Sequence, residues 1–196
     1  MNKKHTLNNL MQAYLGESQA RNRYSFYASI ARKEGLEQVA GIFQTTSDQE
    51  KEHASNLFKL IVRLKEEGKI SEKLMVNAVE VPSVRGTTAE NLQAAIEGEN
   101  YEADEMYPNF ADIAMEEGYA DIAARLRAIA RAEDHHSQTY TKLLELVKDG
   151  AFFKRGEAVV WICRECGYLH VAKEAPVKCP SCDHAQAYFE VYQNNF

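Results

Sequence analysis

The sequence predicts a mainly helical protein: a four-helix bundle with one long crossover, followed by a small β-rich domain closed around a metal. Three observations carry this. Apolar residues recur every three or four positions through residues 7–148, glycines interrupt that pattern about once per helix length, and all four cysteines fall between residues 163 and 196.

The first helix is expected from Leu7 to Ala31, where Leu7, Leu10, Met11, Tyr14, Tyr24, Tyr27 and Ala28 keep one face apolar, and Gly35 ends it. A second runs from Leu36 to Glu67 on Val39, Ile42, Phe43, Leu57, Leu60, Ile61 and Leu64, and stops at Gly68. Residues 68–86 carry Gly68, Pro82 and Gly86 and read as a long connection. Thr87 and Glu90 have the spacing of a capping box and open a third helix that runs to Glu117. Gly118 separates it from a fourth, from Tyr119 to Lys148, closed by Gly150. Two short turns and one long connection give two antiparallel pairs joined by a crossover, the topology of ferritin-like folds. Residues 1–150 are therefore expected as the bundle, 151–157 as a linker and 158–196 as a second domain. That domain holds the only tryptophan, Trp161, and the β-prone stretches AVVWIC and AYFEVY. It is too short to fold without a staple.

Composition narrows the function classes. Hydrophobic residues make up 45% and charged residues 27%, enough for a globular core. A net charge of −6 offers no basic field to nucleic acid. The opening MNKKHTLNNL has no apolar stretch after its lysines, and no run approaches the ~18 apolar residues of a membrane span. A cytoplasmic chain is the expectation.

An internal repeat locates the chemistry. Shifting the chain by 83 residues superposes Tyr24 on Tyr107, Glu34-Gly35 on Glu117-Gly118, Glu50 on Glu133 and His53 on His136. Glu50-x-x-His53 and Glu133-x-x-His136 each place a carboxylate and an imidazole one turn apart on one helix face. A bundle di-metal site takes such a motif from two helices and a glutamate from each of the others. Glu17 stands ready on the first helix, and Glu99 and Glu102 on the third. Five glutamates converging in a core would repel, and two divalent cations would nearly cancel them. Carboxylate mixed with imidazole suits iron or manganese. Alone, an E-x-x-H is usually a solvated helix face; the four-helix coincidence is what gives it weight.

The repeat also slips. Glu17 lies 18 residues before Gly35 and Glu99 lies 19 before Gly118, while Tyr24 and Tyr107 are in step. One extra residue therefore falls between Glu99 and Tyr107, which predicts a π-bulge there. The other tyrosines, Tyr27, Tyr101 and Tyr119, read as packing or boundary residues. His135, turned about 100° from His136 at 3.6 residues per turn, reads as exposed, and His5, His170 and His184 as surface residues.

Cys163-x-x-Cys166 and Cys179-x-x-Cys182 form two knuckles that predict a tetrathiolate site. Tetrahedral sulfur suits zinc or iron. Trp161, Tyr168, Tyr188 and Phe189 read as that domain's miniature core.

Together these residues resemble the rubrerythrin family over the whole chain: ESQARNRY at Glu17–Tyr24, E-x-x-H at Glu50 and His53, and E-x-x-E-x-x-E-M-Y-P at Glu99–Pro108. The resemblance implies a non-haem di-iron centre in the bundle and a rubredoxin-like Fe(Cys)4 centre in the tail, three irons per chain. It makes Glu50 and Glu133 bridging carboxylates, assigns Glu17 and Glu102 to one iron with His53 as an alternative ligand, and assigns Glu99 and His136 to the other. It assigns the tail iron to Cys163, Cys166, Cys179 and Cys182. Tyr24 and Tyr107 would hydrogen-bond beside the site and, with Glu102, are the catalytic candidates. The implied activity is reduction of hydrogen peroxide to water in oxidative-stress defence.

No G-x-G-x-x-G fingerprint occurs, so electrons are expected from a separate rubredoxin or NAD(P)H-dependent reductase. A head-to-tail homodimer is expected, because the 17 residues from Glu133 to Gly150 carry the tail about 25 Å from the site. Two rival readings share parts of the pattern. A ferritin-like iron store leaves the electron carrier without a purpose. A zinc ribbon on a partner-binding bundle leaves the glutamates without one.

Overall fold

The computed structural model describes residues 4–76 and 79–194, so the expected outer bounds at residues 1 and 196 lie outside the described residues. Helices α1 (Lys4–Lys33) and α2 (Glu37–Glu67) form the first antiparallel pair. The connection that follows carries no helix or strand among its described residues. The second pair is α3 (Thr88–Tyr101), a π-helical segment (Glu102–Met106), α4 (Tyr107–Glu116) and α5 (Ala120–Lys148). The turn glycines act as expected: Gly35, Gly118 and Gly150 have φ of 78°, 88° and 61°, a left-handed conformation that ends a helix cheaply only at glycine. Thr87 and Glu90 form the capping box at α3. The one-residue slip in the repeat is the π segment, and Glu102 opens it.

The repeat builds one feature that sequence spacing did not announce. Glu34 accepts the backbone N–H of Thr88 (3.0 Å), and its repeat partner Glu117 accepts that of Thr6 (3.0 Å). Each pair thus carries, at the turn between its helices, a carboxylate that caps the first turn of the other pair, where free N–H groups and the helix dipole favour negative charge.

Two apolar clusters fill the bundle. One gathers Leu7, Leu10, Leu57, Ile61, Leu126 and Ile129. The other gathers Tyr24, Tyr27, Phe43, Leu92, Tyr140 and Leu143. Along each long helix the expected ligands fall between the two, as a polar layer in an otherwise dry core.

The tail is a three-stranded antiparallel sheet of order β2-β1-β3, with β1 at Lys154–Cys163, β2 at Leu169–Glu174 and β3 at Phe189–Val191. β1 reaches back into the segment expected as linker: Lys154 pairs with Glu174. Phe152 is buried in the bundle, while Phe153 packs against both the bundle and the tail cores, their rings 5.1 Å apart. An aromatic pair therefore anchors the junction. Trp161 and Phe189 are the tail's buried core, edged by Tyr168 and Tyr188, as expected.

The tail rests on the α1–α2 end of the bundle. Arg164, which is ion-paired with Glu190, lies over Gly41 of α2, where any Cβ would come within 2.6 Å of its Nη2. Glycine there leaves room for the guanidinium against the helix.

Candidate metal centres

Two groups of four donors meet in the polar layer, and they share two members. Glu17, Glu50, His53 and Glu133 form one; Glu50, Glu99, Glu133 and His136 form the other, each with donor atoms all within 4.8 Å of one another. Glu50 and Glu133, one turn from their histidines on α2 and α5, belong to both. That is the arrangement two bridging carboxylates require.

Both histidines turn Nδ1 inward. His53 Nδ1 lies 2.9 Å from Glu133 and 3.0 Å from Glu50; His136 Nδ1 lies 2.8 Å from Glu133 and 3.2 Å from Glu50. The outer nitrogen of His136 meets Gln49 Oε1 at 3.0 Å. Because that oxygen can only accept, it fixes the tautomer with the proton on Nε2 and leaves Nδ1 free to ligate. Gln49 was missed in the sequence: its partner lies 87 residues away on another helix, and no motif marks it.

The terminal carboxylates are held reciprocally. Tyr24 on α1 donates to Glu99 on α3, and Tyr107 on α4 donates to Glu17 on α1. Each carboxylate keeps one oxygen on a tyrosine and turns the other toward a histidine. Oxygens of Glu17, Glu50, Glu99 and both of Glu133 are buried and lack a partner at hydrogen-bonding geometry. Orphaned buried carboxylate oxygens are very costly, so this convergence fits metal.

Without metal, protons substitute. Burial, with the charges of Glu50 and Glu133, pushes the Glu17 carboxyl well above its usual range, and burial raises Glu99 to about 8. Burial and the surrounding carboxylates raise Glu102 as well. For Glu50 burial pulls the same way, but hydrogen bonds from His136 and His53 win and hold it at about 2. Burial alone would lower His136, yet Glu133, Glu50 and Glu99 push it up to about 12. His53 is raised likewise against burial, by Glu133, Glu17 and Glu50.

Glu102 is the expected ligand that joins neither group. Its carboxylate turns toward Gly16 of α1, with Oε1 3.6 Å from the place a Cβ there would occupy. Tyr27 packs as expected, its hydroxyl donating to Val84 O (2.8 Å), and Tyr101 and His135 are exposed. His170 and His184 differ from expectation. Both are half-buried, His170 stacked on Tyr168 and His184 edge-on to Tyr188 at 4.5 Å, because the small tail uses them to extend its aromatic core.

In the tail all four cysteines are free thiols within 4.8 Å of one another. Cys163–Cys182 and Cys166–Cys179 Sγ separations are 3.7 Å each. A tetrahedron with metal–sulfur bonds of about 2.3 Å has an edge of about 3.8 Å, whereas a disulfide needs about 2.05 Å. The knuckles are built alike: Gly167 N–H donates to Cys163 O and Asp183 N–H to Cys179 O, with φ of 76° and 64° after the second cysteine of each.

The comparisons agree with this geometry. The rubrerythrin family profile matches residues 8–144, and that of the rubrerythrin rubredoxin-like domain matches residues 161–190. A rubrerythrin of Porphyromonas gingivalis is 48% identical over 97% of this chain and 92% of its own. One from Nitratidesulfovibrio vulgaris is 42% identical over 97% and 96%. A solved structure of nigerythrin in its fully reduced, all-ferrous state superposes with a TM-score of 0.62 at 30% identity, covering 95% of this chain and 86% of that one. No helix among the described residues is long and apolar enough to cross a membrane. The chain belongs to the rubrerythrin family, a family of oxidoreductases. Its donors fit a di-iron centre in the bundle and an Fe(Cys)4 centre in the tail.

Proposed function

We propose that this member of the rubrerythrin family is a cytoplasmic peroxidase that reduces hydrogen peroxide to water as an oxidative-stress defence. The observation that carries the reading is the sharing of Glu50 and Glu133 between two four-donor groups, in a chain that also holds a tetrathiolate centre. Iron held there would supply the two electrons that cleave the O–O bond. Glu50 and Glu133 would hold the two positions together, Glu17 with His53 or Glu102 would serve one, and Glu99 with His136 the other. Tyr24 and Tyr107 keep the outer oxygens of Glu99 and Glu17 occupied, so neither carboxylate swings away. Glu102, outside both groups and readily protonated, is the group free to carry a proton to a leaving oxygen.

Within this reading, residues 1–150 form the catalytic bundle, 151–157 the connection, and 158–196 the electron-carrying domain that an external rubredoxin or NAD(P)H-linked reductase recharges. A head-to-tail homodimer would bring a second tail to each site; within one chain Arg164 already meets α2 at Gly41, nine residues short of Glu50, about 14 Å of helix and nearer than the separation expected along α5.

The test is iron analysis with an optical spectrum, then anaerobic titration of the reduced protein with hydrogen peroxide. Three irons per chain, a coloured tetrathiolate centre and one peroxide consumed per di-iron site are expected. A colourless zinc-loaded tail, or iron that accumulates in the bundle without peroxide reduction, would overturn it.

A further inference from the structure

Four aromatic rings form a ladder beside the di-metal site, and the buried hydroxyl of one of them, Tyr140, has only Thr46 beside it, short of good hydrogen-bonding geometry. Tyr24, whose hydroxyl donates to the ligand candidate Glu99, stands edge-on to Tyr140 with ring centres 5.6 Å apart. Phe43 fills the space between them, 5.9 Å from Tyr24 and 5.0 Å from Tyr140. Tyr27 continues the ladder 6.1 Å from Tyr24. Tyr24 and Tyr140 are 0% exposed and Tyr27 is 1% exposed, so the ladder is dry.

Tyr140 lies one turn beyond His136 on α5. Its buried hydroxyl has no partner at hydrogen-bonding geometry; the polar side chain that faces it is Thr46. Buried hydroxyls are normally paired, and phenylalanine would fill the same space without stranding a polar group. A tyrosine differs from phenylalanine in one further respect. It gives up an electron and its phenolic proton together, at far lower cost than a bare ring loses an electron.

We infer that Tyr24 and Tyr140 form a one-electron reserve for the di-iron site. The inference rests on the peroxidase reading above. Peroxide cleavage needs two electrons, whereas a tetrathiolate iron delivers them singly, so a site caught with only one ferrous iron is one electron short. Tyr24 supplies it, its phenolic proton passing through Glu99 to an oxygen of the cleaved peroxide. The balance is one hydrogen peroxide, one ferrous iron, the Tyr24 phenol and one proton from solution, giving two waters, one ferric iron and the Tyr24 phenoxyl radical. Tyr140 then re-reduces Tyr24 by giving up one electron and its one phenolic proton, which together restore the Tyr24 phenol and leave the radical on Tyr140. This moves the radical away from the metals, into a pocket that water does not reach.

The test uses iron-loaded protein titrated to one ferrous iron per di-iron site, mixed with one equivalent of hydrogen peroxide and frozen at intervals for electron paramagnetic resonance. A radical that narrows with ring-deuterated tyrosine is expected. Tyr24→Phe should abolish it. Tyr140→Phe, which removes only the hydroxyl beside Thr46 and keeps the ring, should shorten its lifetime at least tenfold. Absence of a tyrosine radical in the unsubstituted protein while peroxide is consumed would overturn the reserve, as would a radical of unchanged lifetime in either variant. Failure of the fully reduced protein to consume peroxide would instead overturn the peroxidase reading itself, so the two failures are distinct.

Discussion

Replacing Gln49 with leucine should weaken metal binding at one of the two iron positions and leave the other alone. The Gln49 side chain accepts from the outer nitrogen of His136 at 3.0 Å. Leucine keeps the volume and removes the acceptor, so the imidazole loses both its fixed tautomer and its fixed plane. Losing a partner of this kind typically costs 10–100-fold in metal affinity, about 1.4–2.8 kcal/mol. The lower end applies if water replaces the amide oxygen. The His136 side chain is 7% exposed, which leaves little room for such a water. Titration of metal-free protein with ferrous iron against a competing chelator should split into two steps, one unshifted and one weaker by that factor. Gln49→Glu, which keeps an acceptor, should restore the single step. Equal weakening at both positions, or none, would refute the reasoning, because either result means that Gln49 does not act through His136.

Replacing Cys166 or Cys179 with serine should abolish turnover with an external donor yet spare a single turnover of the chemically reduced bundle; loss of both would show that the two centres do not divide the work. The iron nearest Glu17 should be bound by Glu102 when oxidised and by His53 when reduced, since ferric iron favours the harder, charged donor, and structures of oxidised and dithionite-reduced crystals would reveal identical ligands if this is wrong. Stability of the metal-free protein should carry a pH signature. Glu99, raised to about 8, contributes stability that is full below about 4.5 and is lost as pH rises through about 8. His136, raised to about 12, keeps its contribution to much higher pH, and Glu50, lowered to about 2, loses its contribution only as pH falls toward that value. Iron, which binds the ionised carboxylates, should therefore raise the melting temperature more at pH 8 than at pH 5; a pH-independent increment would count against carboxylate ligation.

The sequence made the helices legible because each glycine stop coincides with the end of an apolar period, and the left-handed turns at Gly35, Gly118 and Gly150 follow from that. The donors were legible because the repeat doubled every weak motif: one E-x-x-H says little, two at matched distances from their turns say much. The π segment was legible as an arithmetic slip between Glu99 and Tyr107. What escaped depends on contacts across helices. Gln49 has no motif because its role is defined by His136. The repeat displayed Glu34 and Glu117, but their use as caps appears only when the two pairs meet. Strand β2, LHVAKE, was not singled out, since its apolar residues Leu169 and Val171 are exposed and its pattern is short. The anchoring role of Phe152 and Phe153 escaped because they look like any apolar pair until two cores claim them.

The repeat explains the chemistry best where it fails. If both halves were identical, both irons would have equivalent ligands and no reason to behave differently. Two departures break the equivalence on the same side. The extra residue in the π segment gives the third helix Glu102, where the first helix has Ala20 at the matching place. Gln49, which pins His136, has Ala132 as its repeat partner, and Ala132 offers no side-chain acceptor to His53. Among the described residues no hydrogen bond holds His53 Nε2; its contacts are the carboxylates at Nδ1. In the proposed ligand set His136 would thus be a fixed ligand and His53 a loose one, on the side where a second carboxylate is available. An exchange between His53 and Glu102 needs both departures. Placing glutamine at Ala132 should therefore bias the exchange toward His53 in both oxidation states, without adding or removing a single ligand.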